Sequence, residues 1–566
     1  MAGMKPKHPS GLYVLFFTEM WERFSYYLMV ALLYLYIKEP AKVDGSGGMG
    51  MSPEEAINIY GAYIALVYLT PYYGGLVADR LLGFRRTVII GALLMCAGHL
   101  CMALPGRPIF FSALLLLILG NGLFKPNISS MVGSLYPEGS PLRDSAYSIF
   151  YMGINVGALF GPLVADLMRS GDIPFTKIHV LSHFGWHWSF GSAAIGMCLS
   201  AILFILLRRP IEHADIAAQR IALRRSQGHP RSVLPPHLAR RARRFWILTA
   251  VAAAWSLVSI VAALVPSVGA VVPVLARLRN PLSLVIEGVG AALGQVEVAS
   301  ITVRWTDAFF WGAAIITVLV VAWPRVQVVE TTEDASPEVQ RQRVGALFII
   351  FGIVVLFWMA FHQNGSTLTS WAEKNTRTSW NPEIFQVFNS TFVVLFTPLV
   401  VFFWSRMRRL GREPSTPAKV GLGMVLTAAC YGLMATAGLA GGDAGQVSPL
   451  WLIGGYAVIT LGELCLSPVG LSLVAKLAPQ ALRGSLMGAW FLATSIGNKL
   501  AGDVGEHYWA KLPHSRFFAI LVVLCLMAAG VLLVLLPRLR RAMPTEEEVV
   551  QTVVAPGGGE PAPARS

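Results

Sequence analysis

The stretch Thr18–Tyr27, T-E-M-W-E-R-F-S-Y-Y, lies inside an apolar run that covers residues 11–37. About 27 residues are enough for a helix to cross a bilayer with some tilt. This run nevertheless carries Glu19, Glu22 and Arg23 near its middle. A charged residue at the centre of a membrane helix costs about 2.5–3.5 kcal/mol on insertion scales. A helix that only anchored the protein in the bilayer would not need these three charges.

Helical spacing puts the polar residues of this stretch on one side of the helix. They fall at positions i, i+3, i+4, i+7 and i+8 and comprise Glu19, Glu22, Arg23, Tyr26 and Tyr27. We therefore expect the stripe to face a protein interior or a water-filled cavity. Ionisable residues inside a membrane mark functional sites by default. The structural alternative is an internal ion pair in which Arg23 neutralises a glutamate.

Composition indicates an all-α polytopic membrane protein. Of the 566 residues, 55% are hydrophobic and only 13% are charged, whereas soluble domains carry about 25% charged residues. Several apolar runs exceed the length of a membrane span. The net charge of +14 does not indicate nucleic-acid binding, because the basic residues cluster in loops between the apolar runs. The six cysteines lie within apolar runs without metal-ligand spacing, so we predict buried thiols and neither metal nor cofactor.

Fourteen membrane spans are predicted from the apolar runs. Lys and Arg concentrate on alternate loops, which places both termini in the cytoplasm. The predicted spans are 11–37, 54–78, 84–104, 109–135, 145–168, 186–208, 245–275, 303–323, 344–371, 382–406, 418–440, 449–477, 485–509 and 513–536.

The fourth span contains a single charged residue within G-N-G-L-F-K-P-N-I-S-S. Lys125 lies too far from either end of this apolar stretch to reach water easily. Its ammonium group needs a partner, for which Glu19 and Glu22 are the candidates. This pairing would give a proton-sensitive network between the first and fourth spans, or a purely structural ion pair.

The C-terminal half offers further polar candidates. Glu463, in L-G-E-L-C-L-S-P, is either protonated or meets a cation such as the amino terminus of a substrate. Asn389 is a candidate lining residue of the eighth core span. His362 is a satisfied packing residue or a pH-sensitive or gating group, because histidine has an unperturbed pKa of about 6.5. Trp490 either forms the wall of a pocket or packs in the core.

Small residues predict where helices approach each other closely. Gly74 and Gly75 are expected to allow such an approach in the second span. In the fifth span, F-Y-M-G-I-N-V-G-A-L-F-G-P, Asn155 is expected to bond either to a helix or to a substrate. The same span carries a small-xxx-small stripe formed by Gly153, Gly157 and Gly161.

Several of these stretches resemble a known family. E-x-x-E-R-F-x-Y-Y in the first span is similar to the signature of the proton-dependent oligopeptide transporter family of the major facilitator superfamily. G-N-G-x-x-K-P-N, F-Y-x-x-I-N-x-G and G-E-L-x-L-S-P, as they stand in this sequence, also match it. The resemblance covers residues 11–208 and 344–536.

The resemblance implies the major facilitator fold, with two six-helix bundles and an inserted helix pair of the bacterial type. The expected division is an N-terminal bundle at 1–208, a basic linker with the inserted pair at 209–343 and a C-terminal bundle at 344–541. A disordered tail is expected at 542–566.

The implied function is proton-coupled import of di- and tripeptides by a monomer in the bacterial inner membrane, without enzymatic activity. A dipeptide zwitterion would bridge the two halves, with its carboxylate at Arg23 and Lys125 and its ammonium at Glu463. Protonation of Glu19 or Glu22 would free one cation for the substrate. Residues that would contact the peptide backbone or line the pocket are Tyr26, Tyr27, Tyr68, Asn155, Asn389 and Trp490.

One departure from the family pattern leaves alternatives open. Many members carry an acid where His362 stands and an arginine where Val30 stands, and this pair is thought to form the extracellular gate. The gate here must be built otherwise. A transporter of the same fold for an amino acid, nitrate or a drug-like anion is therefore the alternative. A receptor or a membrane enzyme is less favoured, because no nucleophile–base pair, metal cluster or phosphate loop is evident.

Overall fold

The computed structural model describes residues 8–42, 47–136, 142–176, 178–179, 185–215, 218, 337–477 and 483–541. The predicted inserted helix pair and the C-terminal tail lie outside these residues. The described part contains thirteen α-helices, which are α1 (Ser10–Lys38), α2 (Pro53–Val77), α3 (Phe84–Met102), α4 (Arg107–Ser134), α5 (Leu142–Ser170), α6 (Gly185–Leu206), α7 (Pro337–Phe361), α8 (Thr367–Lys374), α9 (Gln386–Arg409), α10 (Thr416–Ala440), α11 (Pro449–Leu477), α12 (Arg483–Tyr508) and α13 (His514–Arg541).

These helices form two groups that meet along two seams. In the N-terminal group, α1 packs on α5 and α6, and α4 packs on α2 and α3. In the C-terminal group, α10 packs on α11 and α13, and α7 packs on α12. The groups contact each other mainly through α2 with α12 and through α5 with α9. The predicted helical architecture of two six-span bundles is confirmed, with α7 and α8 forming one interrupted span.

The interruption between α7 and α8 differs from the predicted continuous span 344–371. A short 3-10 turn, His362–Gly365, separates the two helices. The Tyr60 side chain of α2 packs directly against this break. Its hydroxyl lies 1.7 Å from the position that a Cβ atom would take at Gly365. The Tyr456 hydroxyl also donates to the carbonyl of Asn364 at 3.3 Å. Backbone groups freed by the break thus find partners inside the protein, as the membrane interior requires.

Three of the long helices are too polar to be recognised as membrane spans by composition. Among the described residues, nine helical segments are long and apolar enough to cross a membrane, and α1, α2 and α12 are not among them. These three helices carry buried polar residues such as Arg23, Asn58 and Lys499. Their polar sides therefore face protein instead of lipid, which lowers their mean hydropathy.

Glycines set the closest helix contacts, largely as the sequence predicts. A Cβ atom at Gly157 would lie 2.4 Å from the carbonyl oxygen of Met20, so α5 packs on α1 through the predicted glycine stripe. A Cβ atom at Gly74 would lie 1.9 Å from the carbonyl oxygen of Gly122 on α4. The same prediction is wrong for Gly75, which has nothing within 4 Å of the position of a Cβ atom.

The two bundles are joined by polar contacts at the end of the molecule where α1 terminates, which we call the Lys38 end. Within the residues that the structure describes, four polar contacts cross between the bundles in this half of the molecule. They are Lys38 with Glu373, Asn58 with Glu506, Arg169 with Glu383, and Asp166 with Asn381. The structure is therefore closed at the Lys38 end.

Gly74 and Gly75, which are neighbours on α2, provide a matched test of the packing between α2 and α4. We expect Gly74→Ala to lower the apparent melting temperature in detergent, because the added methyl group collides with the α4 backbone and overpacking costs about 1–3 kcal/mol. Gly75→Ala should leave the melting temperature unchanged or raise it, since alanine favours the helix. Equal melting temperatures for the two variants, measured by size-exclusion chromatography after heating, would contradict this packing.

Candidate functional site

Arg23 is the centre of a buried charge cluster on α1. The side chains of Arg23, Glu19 and Glu22 expose 2%, 1% and 1% of their surfaces. The guanidinium Nη2 donates to Glu22 Oε1 at 2.7 Å, and Nε also bonds to Glu22 Oε2. Nε lies 3.3 Å from Glu19 Oε1, while Glu19 Oε2 has no hydrogen-bond partner among the described residues. One cation is thus shared by two carboxylates, and the polar stripe faces the interior as its spacing predicts.

Tyrosine rings cover this cluster on its side toward α2. The Tyr26 ring lies 4.8 Å from the guanidinium carbon of Arg23, which is a cation–π contact. Tyr26 and Tyr27 meet edge to face with their ring centroids 5.2 Å apart. The hydroxyl of Tyr27 lies within electrostatic range of Arg23, of Tyr68 on α2 and of Glu463 on α11. Tyr27 therefore connects the α1 cluster to both bundles.

Lys125 contacts an aromatic ring instead of a carboxylate. Its Nζ lies 4.2 Å from the centroid of the Tyr68 ring. The described residues contain no direct ion pair between Lys125 and Glu19 or Glu22, so this prediction is corrected. Arg23 lies on the same helix as both glutamates and occupies them, which leaves Lys125 within only longer electrostatic range of Glu19. A cation held by a ring face is available to an anionic ligand.

Glu22 instead reaches α4 through an amide. Asn121, one helical turn before Lys125, places its Nδ2 at 3.5 Å from Glu22 Oε1. Asn121 is 2% exposed. The i, i+4 spacing of Asn121 and Lys125 in G-N-G-L-F-K-P-N would have identified this residue, because both then face α1. The contact of Asn121 with Glu22 is seen only in the structure.

Glu463 and Asn389 lie together on the C-terminal bundle. Asn389 Nδ2 donates to Glu463 Oε2 at 3.2 Å and to the Thr460 hydroxyl at 3.0 Å. Across the gap, Tyr27 and Tyr151 of the N-terminal bundle lie within electrostatic range of Glu463. Tyr151 exposes 38% of its surface although it lies inside a membrane-length helix. We call the region between the bundles that Tyr27, Tyr151 and Glu463 border the chamber.

His362 lies at the break after α7, near Lys125. Its ring centroid is 5.2 Å from that of Trp358 and 6.3 Å from that of Tyr68. His362 Nε2 and Trp358 Nε1 are buried without hydrogen-bond partners in the described part of the chain. His362 therefore packs in an aromatic wall that spans both bundles. Trp358, one turn earlier near the end of α7, was not recognised from the sequence.

Two predicted site residues are not joined to the charged groups. Asn155 is 7% exposed, and its Nδ2 donates to the carbonyl of Tyr151 in its own helix at 2.9 Å. Trp490 is 3% exposed. No hydrogen bond, ion pair or ring contact of the described residues connects Trp490 to Arg23, Lys125 or Glu463. The structure thus gives Asn155 an intrahelical bond and places Trp490 in the apolar core.

Comparisons with known proteins agree on one family. A sequence model described as the POT family matches residues 85–222 and 284–508. The chain is 34% identical over 551 residues to the peptide transporter YePEPT of Yersinia enterocolitica, covering 95% of each protein. It is 32% identical to a di-/tripeptide transporter of Lactococcus lactis, covering 93% of this chain and 95% of that one. The crystal structure of the peptide transporter POT in complex with sulfate superposes with a TM-score of 0.70 at 31% identity, covering 95% of this chain and 96% of that one.

The buried cluster predicts a pH-dependent stability defect. We expect Arg23→Gln to lower the melting temperature at pH 8, because removing one partner of a buried ion pair costs about 3–5 kcal/mol. The difference from the unmodified protein should shrink toward pH 5, since acid favours the neutral form of a buried carboxyl group that has lost its cation. Lys125→Gln is the control, and its melting temperature should change less because Lys125 has no ion pair among the described residues. A defect of Arg23→Gln that is the same at both pH values would contradict this assignment.

Proposed function

Because the chain belongs to the POT family, we propose that it imports di- and tripeptides together with protons by alternating access. The protein is a multi-pass membrane protein and not an enzyme, since its relatives are peptide transporters. The observation that supports the substrate class best is the placement of opposite charges on the two bundles. Lys125 belongs to the N-terminal bundle and lies over the ring of Tyr68, and Glu463 belongs to the C-terminal bundle and lies within electrostatic range of Tyr27.

This arrangement suits a short zwitterion. The substrate carboxylate would meet Lys125, and the substrate ammonium would meet Glu463, whose position is fixed by Asn389. Tyrosine hydroxyls such as those of Tyr27 and Tyr68 would bond to the peptide backbone. Aromatic walls accept side chains of different size without reading their polarity, so we expect broad specificity for the side chains.

The inside-outside orientation follows from the distribution of basic residues. With both termini in the cytoplasm of a bacterial cell, the Lys38 end faces outward. The closed Lys38 end then corresponds to a state that is shut toward the outside. Alternating access would proceed by rocking of the two bundles about the chamber, and we propose that a monomer suffices because each chain carries a complete site.

Coupling to protons is assigned to the α1 cluster. Protonation of Glu19 or Glu22 would remove one of the two charges that hold Arg23, and the guanidinium would then be free to bind the substrate carboxylate beside Lys125. Each proton that moves inward gains about 2.3 kcal/mol per 100 mV of membrane potential. The same charge cluster would therefore convert the proton gradient into peptide accumulation.

Coupling can be separated from binding in proteoliposomes. We expect Glu22→Gln to retain counterflow of labelled dialanine, which needs no net proton movement, and to lose accumulation driven by a proton gradient. Glu212→Gln is the matched control, since the Glu212 side chain is 69% exposed, and it should retain both activities. Equal loss of counterflow and of driven uptake in Glu22→Gln would refute the coupling role.

Recognition of the substrate's amino terminus by Glu463 is tested with a pair of substrates, one of which has a blocked amino group. A hydrogen bond to a charged group contributes about 1.5–3 kcal/mol, so Glu463→Gln should reduce the preference for dialanine over N-acetyl-dialanine by about tenfold or more. The ratio of the two uptake rates is the measurement. An unchanged ratio would remove Glu463 from the substrate site.

The same assay decides between solute classes. Free amino acids, nitrate and drug-like anions, added as competitors of dialanine uptake, should inhibit more weakly than dipeptides do. Inhibition by one of these solutes at lower concentration than by any dipeptide would favour the alternative substrate.

A further inference from the structure

Two buried carboxylates lie at the seam between α5 and α9, where one is bonded to a guanidinium and the other to an amide. Asp166 and Glu383 expose 2% and 0% of their surfaces. Arg169 Nε donates to Glu383 Oε1 at 2.5 Å, and Asn381 Nδ2 donates to Asp166 Oδ1 at 2.5 Å. Both bonds cross from one bundle to the other at the Lys38 end. We call these four residues the seam cluster.

The seam cluster and its surroundings hold an excess of acid. Asp166 interacts electrostatically with Glu383, Arg169 and Asp172. Asp172 is paired with His179 at 3.0 Å, and Arg169 also lies within range of Glu39. The Arg169 guanidinium faces the Trp186 ring at 5.2 Å. In the described part of the chain, the carboxylates of Asp166, Glu383, Asp172 and Glu39 thus lie within electrostatic range of Arg169 or of one another, and His179 is bonded to Asp172.

One oxygen of the cluster has no compensating donor. Glu383 Oε2 is buried without a hydrogen-bond partner among the described residues, although Glu383 is fully enclosed. A charged oxygen in this situation is costly, because burial of an ionised group without hydrogen bonds is unfavourable. The partner of Asp166 is a neutral amide, which bonds to a carboxyl group in either protonation state, as donor or as acceptor.

We propose that the seam cluster is a second proton-binding site, separate from the α1 cluster, in which Asp166 and Glu383 share one proton when the bundles close at the Lys38 end. Like charges at one site disfavour simultaneous ionisation, and a single guanidinium compensates only one of the two carboxylates. This second proton site rests on the proposed alternating access, since proton uptake on closure requires that the seam also opens.

The sign of the pH effect follows from proton linkage. When the seam opens, water reaches both carboxylates and both ionise. Closure then forms one O–H bond with a proton from the solution at the Lys38 end. Since the closed state binds one more proton than the open state, acidic solution favours closure. In the orientation proposed above this proton comes from outside, which is the direction that import requires.

A distance measured between the two bundles at the Lys38 end reports the equilibrium between the open and the closed seam directly. Nitroxide labels can be attached at Ala41→Cys and Ala444→Cys, two exposed positions on opposite bundles, in a protein that lacks its six native cysteines. Double electron–electron resonance in nanodiscs without peptide then gives the ratio of open to closed molecules. We expect this ratio to fall by up to about tenfold per pH unit as the pH is lowered from 8 to 5, the limit for one coupled proton.

Removing either acid should abolish this pH dependence. In Asp166→Asn and in Glu383→Gln, one carboxylate faces one guanidinium, so closure needs no proton. Glu373→Gln is the matched control, because it breaks the Lys38 ion pair, which holds one acid and one base; it should shift the ratio at every pH and keep the slope.

A flat ratio in the unmodified protein, or an unchanged slope in both Asp166→Asn and Glu383→Gln, would overturn the proposal. The outcome is distinguishable from failure of the proposed transport function, because no peptide or flux enters the measurement. If the protein does not take up dialanine but the open-to-closed ratio still depends on pH, only the assignment of peptides as substrates would be contradicted.

Discussion

The structure depends on the need to compensate charge where no water is available. Arg23 lies inside the first membrane-length helix with two glutamates of the same helix around its guanidinium. Because both glutamates are already engaged, Lys125 on α4 is left on the face of Tyr68. The N-terminal bundle therefore presents Lys125 without a direct ion pair in the described residues, and the C-terminal bundle presents Glu463, which accepts a hydrogen bond from the Asn389 amide. The proposed zwitterionic substrate would bind between these two charges.

The absence of the acid–arginine pair at His362 and Val30 leaves the net charge of this region unchanged. The family pattern that the sequence resembles has an acid and an arginine at the positions where this chain has His362 and Val30. Val30 is 5% exposed among apolar side chains, and His362 packs on Trp358. One acid and one base are absent together, so the formal charge of the chamber is the same as with the pair. Closure at the Lys38 end rests instead on contacts between other helices, of which the seam cluster contains the two most deeply buried carboxylates.

Much of the site was predictable from spacing within single helices. The i, i+3, i+4 pattern placed Glu19, Glu22 and Arg23 on an interior face, and the glycine stripe of α5 predicted its contact with α1. Contacts between distant segments were not predictable in this way. Lys125 was expected to pair with a glutamate, since a sequence does not show that Arg23 already holds both. The seam cluster joins residues more than 200 positions apart, and no local pattern links them.

The most direct test of the whole account is a structure of the protein with a bound dipeptide in a lipid environment. The account predicts that the peptide carboxylate lies within hydrogen-bond distance of Lys125 and the peptide ammonium within hydrogen-bond distance of Glu463, with Tyr27 and Tyr68 alongside. A peptide bound in the reverse orientation, or outside the space between the two bundles, would contradict it.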